Sequence, residues 1–437
     1  MQPPVHSDPN IMKQITLDHY RCFNHIHLEF SEGVNLLIGD NASGKTTIIR
    51  AISAALNAFF TGFSDKNTRF IGLDANDFKI DQVNGTVLNE APVSINFEWL
   101  GSNNTLELRT EKSKTLRTPL KPIADLGKRM YKELFKEGKQ HTPLPLITNF
   151  STADIHKPRK FGFDIFKKYD HKPSFGYFEC FQGDGFMKYW TLRLLALKEA
   201  NLGQMEVDGV LSAVRKALGP EGCNVIDHAE IRPIKGKVFY HLTDGRITDT
   251  ENLSDGLRRL VNIVLDMSFR CMLLNKGIYG ADACAQTTGT VLIDEIDLHL
   301  HPVLQSKVLS ALQGAFPRIQ FIVTSHAPLI MSGIPNDPQN SIIKLSYDPN
   351  LGYISQNISA YGLDASTIMQ VVMGIAPRSQ KVEDDLQLMF SLIDQDRYSE
   401  AFNKLGELRH RFGDNLPELA RAEAMLNILM EPVDGDD

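Results

Sequence analysis

Over residues 13–38, KQITLDHYRCFNHIHLEFSEGVNLLI, apolar and polar positions alternate in short runs. That period predicts strand, turn, strand and then a buried strand. The spacing turns helical at Ile48, Ile49, Ala51, Ile52, Ala55, Leu56 and Phe60. Residues 68–110 return to strands, with PVSINFEWL and NTLELRT flanking a GSNN turn. A mixed stretch from 111 to about 175 holds one predicted helix, IADLGKRMYKELFKEG, and a long helical region follows from about 185 to 218. Residues 230–250 read as a hairpin with Asp244-Gly245 at its turn, and a helix is predicted from about 256 to 275. Residues 289–294 and 319–325 are short apolar runs of the kind found in buried parallel strands. Beyond residue 381 come three amphipathic helical segments, near 382–395, 398–411 and 417–430, with Pro417 at the start of the third.

Composition narrows the class. The 437 residues are 42% hydrophobic and 23% charged, ordinary for a globular protein. Five cysteines without a CxxC pair suggest neither a disulfide framework nor a zinc site. No basic-then-apolar leader and no membrane-length apolar run is visible, so a soluble, cytoplasmic protein is expected. The net charge of −7 is unevenly spread. Residues 381–437 hold 14 acidic against 6 basic side chains, whereas residues 109–172 hold 16 basic against 7 acidic. The latter segment is the candidate surface for a nucleic acid, or else a solvated lysine face.

The chemistry starts where the third predicted strand meets the first helix. Gly39-Asp-Asn-Ala-Ser-Gly44-Lys45-Thr46 fits G-x-x-x-x-G-K-[ST] at every fixed position, with the flanking strand and helix that a phosphate loop requires. Gly39, Asn41, Ala42, Ser43, Gly44, Lys45, Thr46 and Thr47 are therefore expected to hold the phosphates of ATP. Lys45 would reach the β- and γ-phosphates, and the Thr46 hydroxyl would ligate Mg²⁺. In TVLIDEIDLHLHP an apolar strand ends in two acids. Asp294 is placed to hold the magnesium ion, and Glu295 to deprotonate the attacking water. His299 and His301 lack the further ligands of a metal site and read as structural. FIVTSHAPLI ends a buried strand at Ser325-His326, a histidine that could sense the γ-phosphate. Leu253-Ser-Asp-Gly256 precedes a helix, so Ser254 can cap it and leave first-turn N–H groups open to an anion.

The order GDNASGKTT, LSDG, VLIDEIDLHLHP and TSH resembles the ABC-type ATPases of the branch that includes RecF, SMC heads and OLD-type defence ATPases. The resemblance implies an α/β fold: an ABC-type P-loop ATPase head, with a mixed sheet and a helical lobe, followed by a short all-helical C-terminal extension. The ATPase domain would cover residues 1–380, with a nucleotide core at about 11–110 and 230–360 and a basic and helical insert at about 111–229. The extension would cover 381–437. It also implies that Ser254 and Gly256 of one chain touch the γ-phosphate held by another, so a homodimer or higher homo-oligomer is expected. Glu295 would be the base, His326 the switch histidine and Asp297 part of the loop joining two sites. Arg21, in the opening hairpin, would lie near the nucleotide. The family's Q-loop glutamine has no clear counterpart; Asn149, Thr152 and Gln182 are the nearest polar residues.

Within the branch, no heptads of SMC-arm length separate the motifs, and the D-x-D at Asp394–Asp396 lies in a helical pattern rather than at a TOPRIM-like strand end. The layout resembles the ATPase subunits of Septu anti-phage systems, the PtuA group. That resemblance implies a separate HNH nuclease partner, PtuB-like, governed by the nucleotide. The apolar faces of the tail are expected to pack on the ATPase core, with docking left to whatever stays exposed. A RecF-like clamp that grips DNA directly through 109–172 is the alternative, and a stand-alone toxin or nuclease a third.

Overall fold

The computed structural model describes residues 10–65, 68–83, 86–135, 140–151, 172–181, 186–376 and 378–430. The chain divides into two compact units, residues 1–368 and 369–437.

The first unit is built on strands β1 (Met12–Tyr20), β2 (Phe23–Glu29), β3 (Val34–Gly39), β4 (Lys79–Val83), β5 (Thr86–Glu90), β6 (Val93–Trp99), β7 (Ser102–Leu108) and β8 (Leu146–Phe150). They are followed by β9 (Ile226–Arg232), β10 (Lys237–Leu242), β11 (Ile247–Asp249), β12 (Gly289–Ile293), β13 (Ile319–Thr324), β14 (Ser341–Asp348) and β15 (Gly352–Ile358). The largely apolar runs VNLLI, TVLI and FIV sit where such runs can be buried on both faces. They form the middle of a six-stranded sheet of order β15-β14-β3-β13-β12-β8. All neighbours in it are parallel except the edge strand β15, which runs antiparallel to β14. The alternating segments β2-β1-β6-β7 form a separate antiparallel sheet whose inward residues, among them Ile15, Leu17, Ile95 and Trp99, are buried. Sequence expectation and structure therefore agree on a mixed α/β class.

One local reading needs correction. The β6–β7 turn is not GSNN but the pair Leu100-Gly101, since Trp99 already faces Ser102 in register. Both turn residues have positive φ, 54° and 67°, the backbone twist that joins antiparallel strands through two residues. The helical region expected from about 185 to 218 holds two helices, Met187–Glu199 and Gln204–Leu218. They are parted where Asn201 and Gly203 adopt positive φ.

The helix Asp255–Tyr279, here the signature helix, is the longest in the chain among the described residues, and most of its side chains are buried. It is fixed by charge as well as by packing. Asp266 accepts from Trp190 Nε1 at 2.7 Å, from Thr148 Oγ1 at 3.3 Å and from Arg270 Nε at 2.6 Å, which ties β8 and the helix Met187–Glu199 to it. Glu206 accepts from both Arg193 and Lys276 at 2.6 Å.

The second unit contains helices Gln380–Asp394, Tyr398–Phe412 and Pro417–Met430. Their apolar faces pack on one another: Leu386, Met389, Ile393, Ala401, Leu405, Leu408, Leu419 and Leu426 form one buried cluster. The expectation that these faces cover the ATPase core is thereby corrected, because helical period says which face is buried and not against what. Asp394 and Asp396 stand at the end of the first of these helices and in the turn after it, both exposed.

Candidate active site

Leu37 pairs with Thr324, and Val323 with Ile293, so β3, β13 and β12 end side by side. Open parallel sheets bind ligands outside such carboxyl ends. The loop Gly39–Gly44 leaves β3 here and enters the helix Lys45–Asn57. Gly44 has φ 92°, and a Cβ on it would come 2.3 Å from the Phe23 ring. That close approach seats the start of the helix against the β1–β2 hairpin. Tyr353 completes the packing: its ring meets Phe23 edge-on at 5.0 Å, and its hydroxyl donates to the Ala42 carbonyl at 3.3 Å. Asn41, Ala42 and Thr46 are exposed, Gly39, Gly44 and Thr47 half-buried, and Ser43 buried. The helix carries no acidic side chain in its first turn, so its positive end is free to face an anion.

Lys45 folds over the loop, donating to the Gly39 carbonyl at 2.8 Å, the Asp40 carbonyl at 2.9 Å and Ser43 Oγ at 3.4 Å. Burial pulls its ammonium below the usual lysine value, against the opposing pull of Asp294, Asp40, Glu295 and Asp297. A phosphate laid beside it would restore the preference for the charged form. The Thr46 hydroxyl lies 3.2 Å from Asp294 Oδ2, so the two predicted metal ligands do converge. Both are hard oxygen donors, the type that suits Mg²⁺.

Glu295 follows Asp294 with φ 50°, in the left-handed region that a non-glycine residue avoids. Three contacts hold it there. Its N–H donates to Thr324 Oγ1 at 2.7 Å, the next N–H donates to the Thr324 carbonyl at 3.0 Å, and its own carbonyl accepts from Arg259. The Thr324 hydroxyl in turn donates to Asp294 Oδ1 at 2.7 Å. Arg259 also donates to the Asp294 carbonyl at 2.6 Å. Neither Thr324 nor Arg259 stands out in the sequence as a functional residue. A hydrogen bond to a carbonyl leaves no spacing pattern, and the only available signal is their place in TSH and LSDGLRR.

Ser254 is exposed at the start of the signature helix, but its side chain makes no capping bond, contrary to expectation; its carbonyl accepts from Arg258 N–H at 2.7 Å. Gly256 is buried, and a Cβ there would meet the His299 carbonyl at 2.1 Å. Gly256→Ala is therefore expected to push the helix start off the loop after β12 and to lower both melting temperature and ATP turnover. A variant with unchanged melting and turnover would show that the contact is dispensable. His326 is half-buried, with no hydrogen bond to other described residues. Asp297 is half-buried, and its Oδ1 lacks a partner among the described residues, as does Asn149 Oδ1. Thr152 and Gln182 lie outside the described residues. Arg21 donates to Asp77 Oδ1 through Nε at 3.0 Å and Nη2 at 2.7 Å. His301 accepts from the Val303 N–H and caps the short helix that follows.

Two family models match. One, "AAA domain", covers residues 14–172. The other, "AAA domain, putative AbiEii toxin, Type IV TA system", covers residues 101–332, just over half of the chain. The "Retron Vc95 probable ATPase" of Vibrio cholerae serotype O1 biovar El Tor is 24% identical, over 83% of this chain and 78% of its own. The "Septu protein PtuA" of Bacillus thuringiensis is 24% identical, over 92% of this chain and 94% of its own. A solved SMC head domain from Thermotoga maritima aligns with 80% of this chain and 99% of that one, at 15% identity and a TM-score of 0.39.

Proposed function

Because this chain belongs to the AAA-domain family matched over residues 101–332, and is an ATP hydrolase, we propose that it is the regulatory subunit of an anti-phage defence complex. In this reading two copies close head to head around ATP and govern a separate HNH nuclease. The observation that carries the ATPase part is the meeting of Lys45, Thr46, Asp294 and Glu295 beside the aligned ends of β3, β12 and β13. The similarity to the Septu protein, which runs the length of both chains, supports the defence role.

Thr46 and Asp294 would hold Mg²⁺, which supplies charge neutralisation for the β- and γ-phosphates. Lys45 and the loop N–H groups bind the phosphates and set their direction. Glu295 accepts a proton from the attacking water, and His326 reads the γ-phosphate from the end of β13. Ser254 of a second copy closes the site from the other side. Among the described residues no helix is long and apolar enough to cross a membrane.

One observation favours a second reading. Lys112, Lys114, Lys128, Arg129 and Lys132 are all exposed, on and just before the helix Lys121–Phe135, a surface suited to a nucleic-acid backbone. A RecF-like clamp would use it directly. One experiment separates the two: purify the chain alone and co-expressed with the product of its neighbouring reading frame, then assay plasmid cleavage and DNA binding across ATP concentrations. Cleavage by the co-purified complex only, altered by ATP, is the expected result. No complex, with ATP-dependent DNA binding by the chain alone, would replace the nuclease controller with the clamp.

A further inference from the structure

One guanidinium grips both the carbonyl of the Asp294–Glu295 peptide and the carbonyl of the peptide that follows it, and it does not come from the sheet. Arg259 sits one turn into the signature helix and is 6% exposed. It forks onto the carbonyls of Asp294 and Glu295. The same helix start touches this loop a second time, where Gly256 packs on the His299 carbonyl. Within the loop, the Leu298 N–H donates back to the Glu295 carbonyl at 3.0 Å, so Arg259 and Leu298 share that oxygen. The opposite side of the peptide is held by Thr324, which belongs to β13. Glu295 is thus suspended between a fixed sheet and a helix whose first residues, Ser254 and Asp255, are exposed.

We propose that Arg259 is a positioning residue coupling the signature helix to the base: engagement of Ser254 by the nucleotide on a second copy is passed through Arg259 to the backbone of Glu295. This rests on the head-to-head reading given above. The left-handed φ of Glu295 is what makes the coupling consequential. A residue in a disfavoured backbone region keeps its side-chain direction only while its surroundings over-determine it. Removing one of its anchors lets the peptide relax and turns the carboxylate away from the water. A planar fork is suited to two adjacent carbonyls, whereas the lysine ammonium is a single compact donor centre. Arg259→Lys therefore keeps the buried charge and loses the double grip.

The test compares ATP hydrolysis per chain as protein concentration rises, for the unmutated chain and for Arg259→Lys. Turnover of the unmutated chain should climb as copies associate. Arg259→Lys should bind a fluorescent ATP analogue within about threefold of the unmutated affinity and still associate with ATP, as read by sedimentation. Its turnover should stay at least tenfold lower and flat across that association, a signature that a merely structural residue would not give. In a cycle with Ser254→Arg, which blocks the trans contact, the double variant should be no slower than either single one. Turnover of Arg259→Lys that climbs like the unmutated chain's, or losses that multiply in the double variant, would overturn the coupling and leave the dimer intact. Turnover of the unmutated chain that ignores concentration, with no ATP-driven association, would overturn the dimer and the coupling with it.

Hydrogen exchange keeps the idea open to refutation should Arg259→Lys fail to fold. In the chain that retains Arg259, ATP should protect backbone amides 294–298, and Ser254→Arg should abolish that protection. Protection that survives Ser254→Arg would overturn the coupling.

Discussion

Glu295→Gln should cut ATP turnover by roughly 10² to 10⁴-fold, the usual contribution of a positioned general base, while nucleotide affinity stays close to that of the unmutated chain. The proposed phosphate site is left unchanged: Lys45 keeps its bonds to the loop, and Thr46 keeps its contact with Asp294. The amide has nearly the volume of the carboxylate, so the backbone grip of Thr324 on residue 295 is retained. What is lost is a proton acceptor beside the end of β12. With ATP bound and not consumed, the associated state should accumulate, which sedimentation with ATP would show. Phosphate release at the unmutated rate would remove Glu295 from the mechanism.

The second large effect concerns stability. Glu206 and Arg193 are 1% and 3% exposed and meet at 2.6 Å. Glu206→Gln preserves the shape and removes the carboxylate charge that the buried Arg193 guanidinium meets, a loss of about 3–5 kcal/mol. Lys276, 40% exposed, can turn to solvent and adds little. Burial works to raise the Glu206 carboxyl, but Arg193 and Lys276 outweigh it, and the net position lies below the ordinary glutamate value of 4.5. A carboxyl depressed in the folded state stabilises fully above its unfolded value and loses that contribution as pH falls through its folded value. The gap between the unmutated chain and Glu206→Gln should therefore be widest at neutral pH and close in acid. Urea unfolding at pH 7 and again near pH 3 would check this. An equal gap at both pH values would mean that Glu206 acts through shape alone.

What could be read from the sequence follows from how each feature is encoded. β3, β12 and β13 are short, largely apolar runs, the first two bounded by glycine or acid, so their existence, and the loop and carboxylates at their ends, are legible. The phosphate loop is a local motif in which every position sits near its neighbour in the chain. Arg259 is different, because its partners lie 35 and 36 residues away and are main-chain oxygens, which any residue would provide. The left-handed backbone at Glu295 is likewise enforced from β13 and the signature helix, not by its own residue type. The turn at Leu100-Gly101 was missed because leucine is not a turn former; register with β7 overrides that preference. In the tail, the spacing located three helices but could not reveal that they bury one another.

The strand order carries a consequence for how the molecule is made. β3, which launches the phosphate loop, pairs on one side with residues 321–324 and on the other with residues 341–345. Both partners leave the ribosome roughly 300 residues after β3 does. Until then residues 34–39 are an apolar segment with no ladder on either edge, a species that invites association with other chains. Loop closure across nearly 300 residues is entropically costly and slow, so nucleotide binding should be acquired late in synthesis. A nascent chain stalled just short of residue 319 would contain the entire phosphate-loop motif and still lack the strands that give it shape.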